Sequence, residues 1–344
     1  MSDWADAGLD EQEELLLRWN LAIARQRGVQ LRGPGTDPTL NELILHSKIR
    51  GNQRLQIFGS DKLRVASCAE NFLELTIPKK IVIEPGVCEA AEVYDRISGE
   101  FGRNFILKTN HDSGSVRFIS SYPSFKEALI YLERARRRVY GLSTAETSYF
   151  AVGRNIFAEE NVTQDSSAAM DVKCHCFEGE IFLFQIIFDR YQKSATKEVL
   201  LDGNFGEVDG LLDSNFQSAR LSAVPQLLDK LGRNVLEDVR SVAAEFGGYV
   251  RIDLLAGGGG LSLGETTFFP YGGFYPDHLL SKSLNVLAGQ ALLDWSAKRS
   301  DIAKVPKLTP RELLIMGHQN SERLGLPGKI NFEFAQYFLK SIGL

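Results

Sequence analysis

The chain has 344 residues, 44% of them hydrophobic and 24% charged, with a formal net charge of -5. These are ordinary proportions for a soluble globular protein with one large core or two to three smaller ones. The acidic balance argues against a general nucleic-acid or anionic-membrane binder. The start, MSDWADAGLDEQEELLL, lacks the basic region and apolar core of a signal peptide. No apolar run approaches the roughly 20 residues that span a bilayer. A cytoplasmic protein without a membrane span is expected.

Apolar spacing predicts a long amphipathic helix from Asp10 to Arg27. Gly33-Pro-Gly-Thr-Asp-Pro38 breaks it before a second helical piece at Thr39 to Lys48. Lys79 to Pro85 reads as a short strand and Cys88 to Ile97 as a helix. Phe105-Ile-Leu107 is a strand ending in Lys108, and Val116 to Ile119 is its neighbour. Ser124 to Tyr140 is expected to be helical, with Ser124 and Glu127 as a capping box. Strands follow at Asn155 to Ala158, Met170 to Cys176 and Ile181 to Phe188. A helical stretch from Ala223 to Phe246 leads into a glycine-joined hairpin, and helices at Lys282 to Lys298 and Pro310 to Gly317 approach the end. Mixed strands and helices predict an α+β or α/β protein of several small lobes.

The hairpin carries the most chemistry. If Gly258 to Gly260 form a three-residue loop, Asp253 lies opposite Glu265, and alternation puts Arg251 and Thr267 on the same face. Two adjacent carboxylates repel and call for a cation between them; a hard divalent metal with oxygen ligands is the simplest, and its usual further partner is a nucleotide phosphate. The glycines at 257 to 260 connect strand to strand, unlike a phosphate-binding loop that leads into a helix. Lys108, followed by Thr-Asn-His-Asp-Ser113-Gly114, suits phosphate binding through one ammonium and a polar loop, or is a solvent-facing lysine at a strand edge. Asn155 to Val162 places Glu159 and Glu160 at a strand end, either solvated or offered to a nucleoside. The four cysteines, Cys68, Cys88, Cys174 and Cys176, suggest neither a disulfide framework nor a complete zinc site. His111, Asp112 and Ser113 are contiguous and cannot form a hydrolase relay.

Taken in order, several segments resemble the TupA-like ATP-grasp family. They are Asp61-Lys-Leu-Arg64-Val, Phe105 to Gly114, Ala158-Glu-Glu160, Met170 to Gly179, Phe188-Asp-Arg190, Tyr249 to Asp253 and Gly264 to Pro270, with Asp37 to Glu42 as a lead-in. The resemblance spans roughly residues 37 to 280. It implies an ATP-grasp fold, in which two α+β lobes clasp ATP after a helical N-terminal lead-in. It also implies the divisions 1–60 (helical segment), 61–104 (small N-terminal lobe), 105–165 (lid lobe), 166–305 (catalytic lobe) and 306–344 (tail).

The activity so implied is ATP-dependent carboxylate–amine ligation through an acyl phosphate, with ATP and Mg2+ as cofactors. The substrates would be a small-molecule or saccharide carboxylate and an amine, in surface-polysaccharide or amino-acid conjugate biosynthesis. Carried over, Lys108 and Lys62 hold phosphates, and His111, Asp112, Ser113 and Gly114 form a loop over them. Glu160, beside Glu159 and with the backbone near Val162, meets adenine or ribose. Asp253 and Glu265 bind magnesium, with Thr267 where many relatives have an asparagine ligand. Arg251 sits beside the transferring phosphoryl group, and Lys173, Arg190 and His111 contact substrate. Phosphoryl transfer by this set needs positioning and charge neutralisation, not a dedicated base. A nucleotide-sugar glycosyltransferase is the alternative, though no DxD motif occurs. The tail after Pro306 is expected to cap the fold or to mediate a homodimer.

Overall fold

The computed structural model describes residues 8–31, 38–84, 89–163, 170–189, 196–224, 227–257, 260–298 and 307–323. Three helices lead: α1 (Glu11–Arg27), α2 (Leu40–Arg50) and α3 (Gln53–Ser60). The Asp10 carboxylate accepts from the Glu13 amide while Glu13 accepts from the Asp10 amide, closing a capping box on α1. Thr39 and Glu42 do the same for α2. Helix α2 puts Leu40, Leu43 and Ile44 into the main core and Leu45 and Ile49 against Leu17 of α1.

A four-stranded antiparallel sheet follows, built from β1 (Lys80–Ile83), β2 (Phe105–Thr109), β3 (Val116–Ile119) and β4 (Ile156–Glu160) in the order β1-β4-β2-β3. Helices α4 (Ala90–Phe101) and α5 (Tyr122–Ala135) cover one face, where Ile83, Phe105, Leu107, Ile119, Ile156 and Ala158 pack against Val93, Ile97, Phe125, Ala128 and Leu132. Alternation therefore sends Lys80, Lys108 and Glu159 to the opposite face. Strand β1, expected within the 61–104 lobe, pairs with β4 of the 105–165 stretch, so the two share one sheet.

The second sheet has six strands: β5 (Met170–Phe177), β6 (Glu180–Phe188), β7 (Lys197–Asp202), β8 (Gln217–Ser218), β9 (Tyr249–Gly257) and β10 (Gly260–Thr267), ordered β10-β9-β5-β6-β7-β8. All neighbours are antiparallel except β7 and β8. Val172, Cys174, Ile186, Ile252 and Leu254 join one core with Val235, Val239, Val242 and Phe246 of α7 (Arg233–Phe246), which follows the short α6 (Leu227–Lys230). The alternate residues of the same strands, among them Lys173, Gln185, Arg251, Asp253 and Glu265, make the other face polar. Cys174 and Cys176 are buried, and burial pushes both thiols up. Helices α8 (Lys282–Lys298) and α9 (Pro310–Arg323) complete the described chain.

Four local readings change. Helix α5 starts at Tyr122 with Ser121 as cap and Ser124 completing the box, because Pro123 fits a first helical turn. The stretch 223–246 is not one helix: Gly232, extended at φ -60 and ψ 166, caps α7 afresh. Helix α9 runs past Gly317 to Arg323. Gly260 belongs to β10 and pairs with Gly257, so two residues join the hairpin, not three.

Candidate active site

Asp253 still faces Glu265, for a different reason than the loop length. A two-residue connection alone would pair Asp253 with Gly264, but a bulge between Leu263 and Glu265 inserts the missing residue. A side chain at Gly264 would crowd the Asp253 carbonyl and Leu255, each 3.2 Å from an added Cβ, so glycine suits the bulge.

Across the polar face the register aligns Glu265, Asp253, Lys173 and Gln185 on successive strands. Arg251 holds Asp253 bidentately, Nε to Oδ1 at 2.6 Å and Nη2 to Oδ2 at 2.7 Å. Lys173 Nζ donates to the same Oδ2 at 2.6 Å. Burial alone would raise the Asp253 carboxyl, but Arg251 and Lys173 outweigh it and keep the group ionised. Burial opposes ionisation of Glu265 as well, and there Lys62 outweighs it. Thr267 Oγ1 accepts from Arg251 Nη2 at 3.2 Å, which engages the hydroxyl with the guanidinium.

Lys62 links this row to the first sheet. Thr266 donates to the Gly59 carbonyl at 2.6 Å and fixes the end of α3 on β10. A Cβ at Gly59 would lie 2.8 Å from the Phe246 and Phe268 rings, so only glycine allows that approach. The next turn is tied by Asp61, which accepts from the Leu63 amide at 3.0 Å and from Asn110 Nδ2 at 2.8 Å. Lys62 Nζ then donates to the Asp112 carbonyl and stands 3.5 Å from Glu265. Lys80 Nζ donates to the Lys62 carbonyl at 2.8 Å and lies 3.8 Å from Glu159, which also pairs with Lys108. Burial pulls the Lys80 pKa down against the upward pull of Glu159.

The loop after Lys108 divides in two. His111 and the Asp112 side chain turn inward, and the Asp112 carboxylate accepts from the Thr109 and Ser115 hydroxyls, bracing the turn. Burial, then the charges of Arg154 and Lys62, keep His111 neutral. Ser113 and Gly114 form the exposed tip, Gly114 at φ +88. On β4 it is Glu159, not Glu160, that shares the Lys108 face; the Glu160 side chain accepts from the Lys79 amide at 3.3 Å on the far edge. The Val162 carbonyl abuts Gly257 of β9, where an added Cβ would come within 2.1 Å. Arg190 lies outside the described residues.

Sequence reasoning missed Lys80, Gln185 and Glu198. Only the Lys79-Lys80 doublet ahead of Ile-Val-Ile hinted at the first. Burial raises the Glu198 pKa; Gln185 Nε2 and the Leu212 amide donate to its carboxylate, the latter at 2.6 Å. Further along the same face, His175 Nδ1 and the Tyr249 hydroxyl lie 2.8 Å apart.

Among solved structures, the ATP-grasp ligase PsnB with its minimal precursor is 12% identical with a TM-score of 0.40, over 72% of this chain and 63% of that one. N5-carboxyaminoimidazole synthase from Aspergillus clavatus is 11% identical with a TM-score of 0.41, over 69% and 54%. D-alanine–D-alanine ligase from Bacillus anthracis is 15% identical with a TM-score of 0.40, over 92% and 95%. The chain thus aligns with less than two thirds of the first two. No curated protein matches it. The family described as TupA-like ATPgrasp matches residues 60–291, from the turn before Lys62 through both polar faces. The chain belongs to the TupA-like ATP-grasp family.

Proposed function

We propose that this protein is an ATP-dependent carboxylate–amine ligase that works through an acyl phosphate. The observation that carries the reading is Lys62, which joins the Lys80–Lys108–Glu159 face of one sheet to the Glu265–Asp253–Lys173 row of the other. A triphosphate lying between them would meet lysines on one side and ionised carboxylates on the other.

The carboxylates fit magnesium. Asp253 and Glu265 are held ionised on adjacent strands. Among the described residues no group of three or more His, Cys, Asp or Glu could hold an ion alone. That suits a hard ion that keeps water and takes its other oxygens from phosphate. When bound, magnesium would neutralise charge on the phosphate oxygens. Arg251 and Lys173, which otherwise neutralise Asp253, would turn toward the transferring phosphoryl group and stabilise its developing charge. Lys108 and Lys62 would hold the other phosphates, with the exposed Ser113–Gly114 tip over them. Glu159, buried between two lysines, would accept from the adenine amino group. Glu160, Val162 and Asp112 act as supports through contacts with neighbouring backbone or hydroxyl groups, and buried His111 fills the space beneath the loop.

A role in surface-polysaccharide or amino-acid conjugate synthesis in the cytoplasm belongs to this reading. No described helix is long and apolar enough to cross a membrane. The test is product analysis over a panel of uronic acids, amino acids and amines. ADP and phosphate released only when carboxylate and amine are both present is the expected result; AMP and pyrophosphate would contradict it.

A further inference from the structure

Just past the end of β2, beyond Lys108, Asn110 closes the strand with its side chain. Its amide donates to the Asn155 carbonyl at 3.2 Å, as the next antiparallel rung would. The return bond runs from the Asn155 amide to Asn110 Oδ1 at 2.7 Å, so the side chain stands in for the main-chain acceptor. That leaves the Asn110 carbonyl for the Lys62 amide, which donates to it at 3.5 Å. With Oδ1 accepting on one side, Nδ2 points to the other, and it donates to Asp61 Oδ1 at 2.8 Å. Asn110 is fully buried, and its two main-chain and two side-chain polar groups are all engaged.

The contacts converge on Lys62, whose segment follows α3 and is remote in sequence from β2 and β4. Asp61 turns the chain there by accepting from the Leu63 amide as well. Burial raises the Asp61 carboxyl, and the Asn110 amide group opposes the rise. Farther out, Lys62 Nζ donates to the carbonyl of Asp112 in the same loop as Asn110. Asn110 thus grips both the base of Lys62 and the strand end that carries Lys108. The residue type matters: aspartate has no donor for Asp61, alanine has neither group, and glutamine carries its amide one methylene farther out.

We propose that Asn110 is a positioning residue for ATP, which fixes the Lys62 ammonium relative to Lys108 so that both lysines meet the phosphates without rearrangement. The inference rests on the ligase reading and deepens its ATP site. A residue that only stitched β2 to β4 would need Oδ1 alone. Here Nδ2 and the released carbonyl both go to the segment that carries Lys62. Two charges held in advance at the right spacing bind a polyphosphate better than two that must first be ordered.

The test titrates ATP with Mg2+ into the full chain by calorimetry and records the unfolding midpoint of each sample. Asn110→Ala is expected to bind ATP about tenfold more weakly than the wild type. In a Lys62→Met background the same change should cost less than about twofold, because no ammonium is left to misplace. Asn110→Asp sets two buried carboxylates face to face and should bind more weakly still. Adding Asp61→Asn to it restores one donor and one acceptor across the contact, and affinity should return to within about threefold of wild type. Wild-type affinity in Asn110→Ala, an equal loss with and without Lys62, or no recovery in the swapped pair would overturn the assignment. If Asn110→Ala does not fold, the swapped pair decides against the wild type. A wild type that binds no ATP would overturn the ligase reading itself.

Discussion

Asp253 carries more opposing charge than its own can balance, with two nitrogens of Arg251 and one of Lys173 within 2.7 Å. Burying such a cluster is a poor way to stabilise a fold, because desolvation offsets most of the Coulomb gain. Its place on the buried polar face of interior strands β9 and β5, with Glu265 one strand away, is better understood as charge held ready for phosphate and metal. Gly59 is the residue on which Lys62 depends. Gly59→Ala would force a Cβ against two aromatic rings at 2.8 Å and lever the end of α3 away from β10. We expect a loss of about 1–3 kcal/mol in chemical denaturation together with weaker ATP binding; an unchanged midpoint would mean that α3 is free to shift.

Elements show where sequence reasoning succeeded and where it stopped. Alternation and glycine marked the hairpin, but the Asp253–Glu265 pairing was expected from a three-residue loop. It arises instead from a two-residue connection offset by a bulge at Gly264, which only a single glycine in the strand hints at. Lys108 was legible as a lysine at a strand end. The sequence reading gave the nucleoside contact to Glu160, whereas Glu159 shares the Lys108 face, because which of the two faces inward follows from which face α4 and α5 cover. Lys80 was missed because edge strand β1 joins the sheet beside β4, a long-range pairing with no local mark. The segment before β1 is held in a similar long-range way: Asp238 of α7 accepts from the amides of Leu73, Glu74 and Leu75 at 2.7, 2.9 and 2.9 Å. Asp238→Ala leaves these donors unpartnered and should cost about 2–4 kcal/mol, read as a lower unfolding midpoint with an unchanged denaturant slope. A change below about 0.5 kcal/mol would show that water replaces the carboxylate.

At the scale of the molecule, buried histidines set the response to acid. Burial, with the charge of Arg50 for His46 and of Arg251 for His175, lowers their pKa values to about 4 and about 3, and His111 is lowered as well. Each folded-state value lies below the unfolded value of about 6.5. Between the two the unfolded chain binds more protons, so stability is complete above pH about 6.5 and falls as pH drops toward 4 and 3. Equilibrium denaturation at stepped pH should show this slope, and His175→Gln should flatten it below pH about 6. An equal slope in the variant would assign the acid sensitivity to other groups.

In the proposed ligase the two sheets meet around one ATP–magnesium site bridged by Lys62. The most direct test of this is calorimetric titration of ATP with and without Mg2+ into the wild type, Lys108→Met and Glu265→Gln. Wild-type binding is expected to tighten with Mg2+, to weaken at least tenfold in Lys108→Met, and to lose the Mg2+ effect in Glu265→Gln while metal-free ATP binding is retained. Wild-type affinity and a full Mg2+ effect in both variants would contradict it.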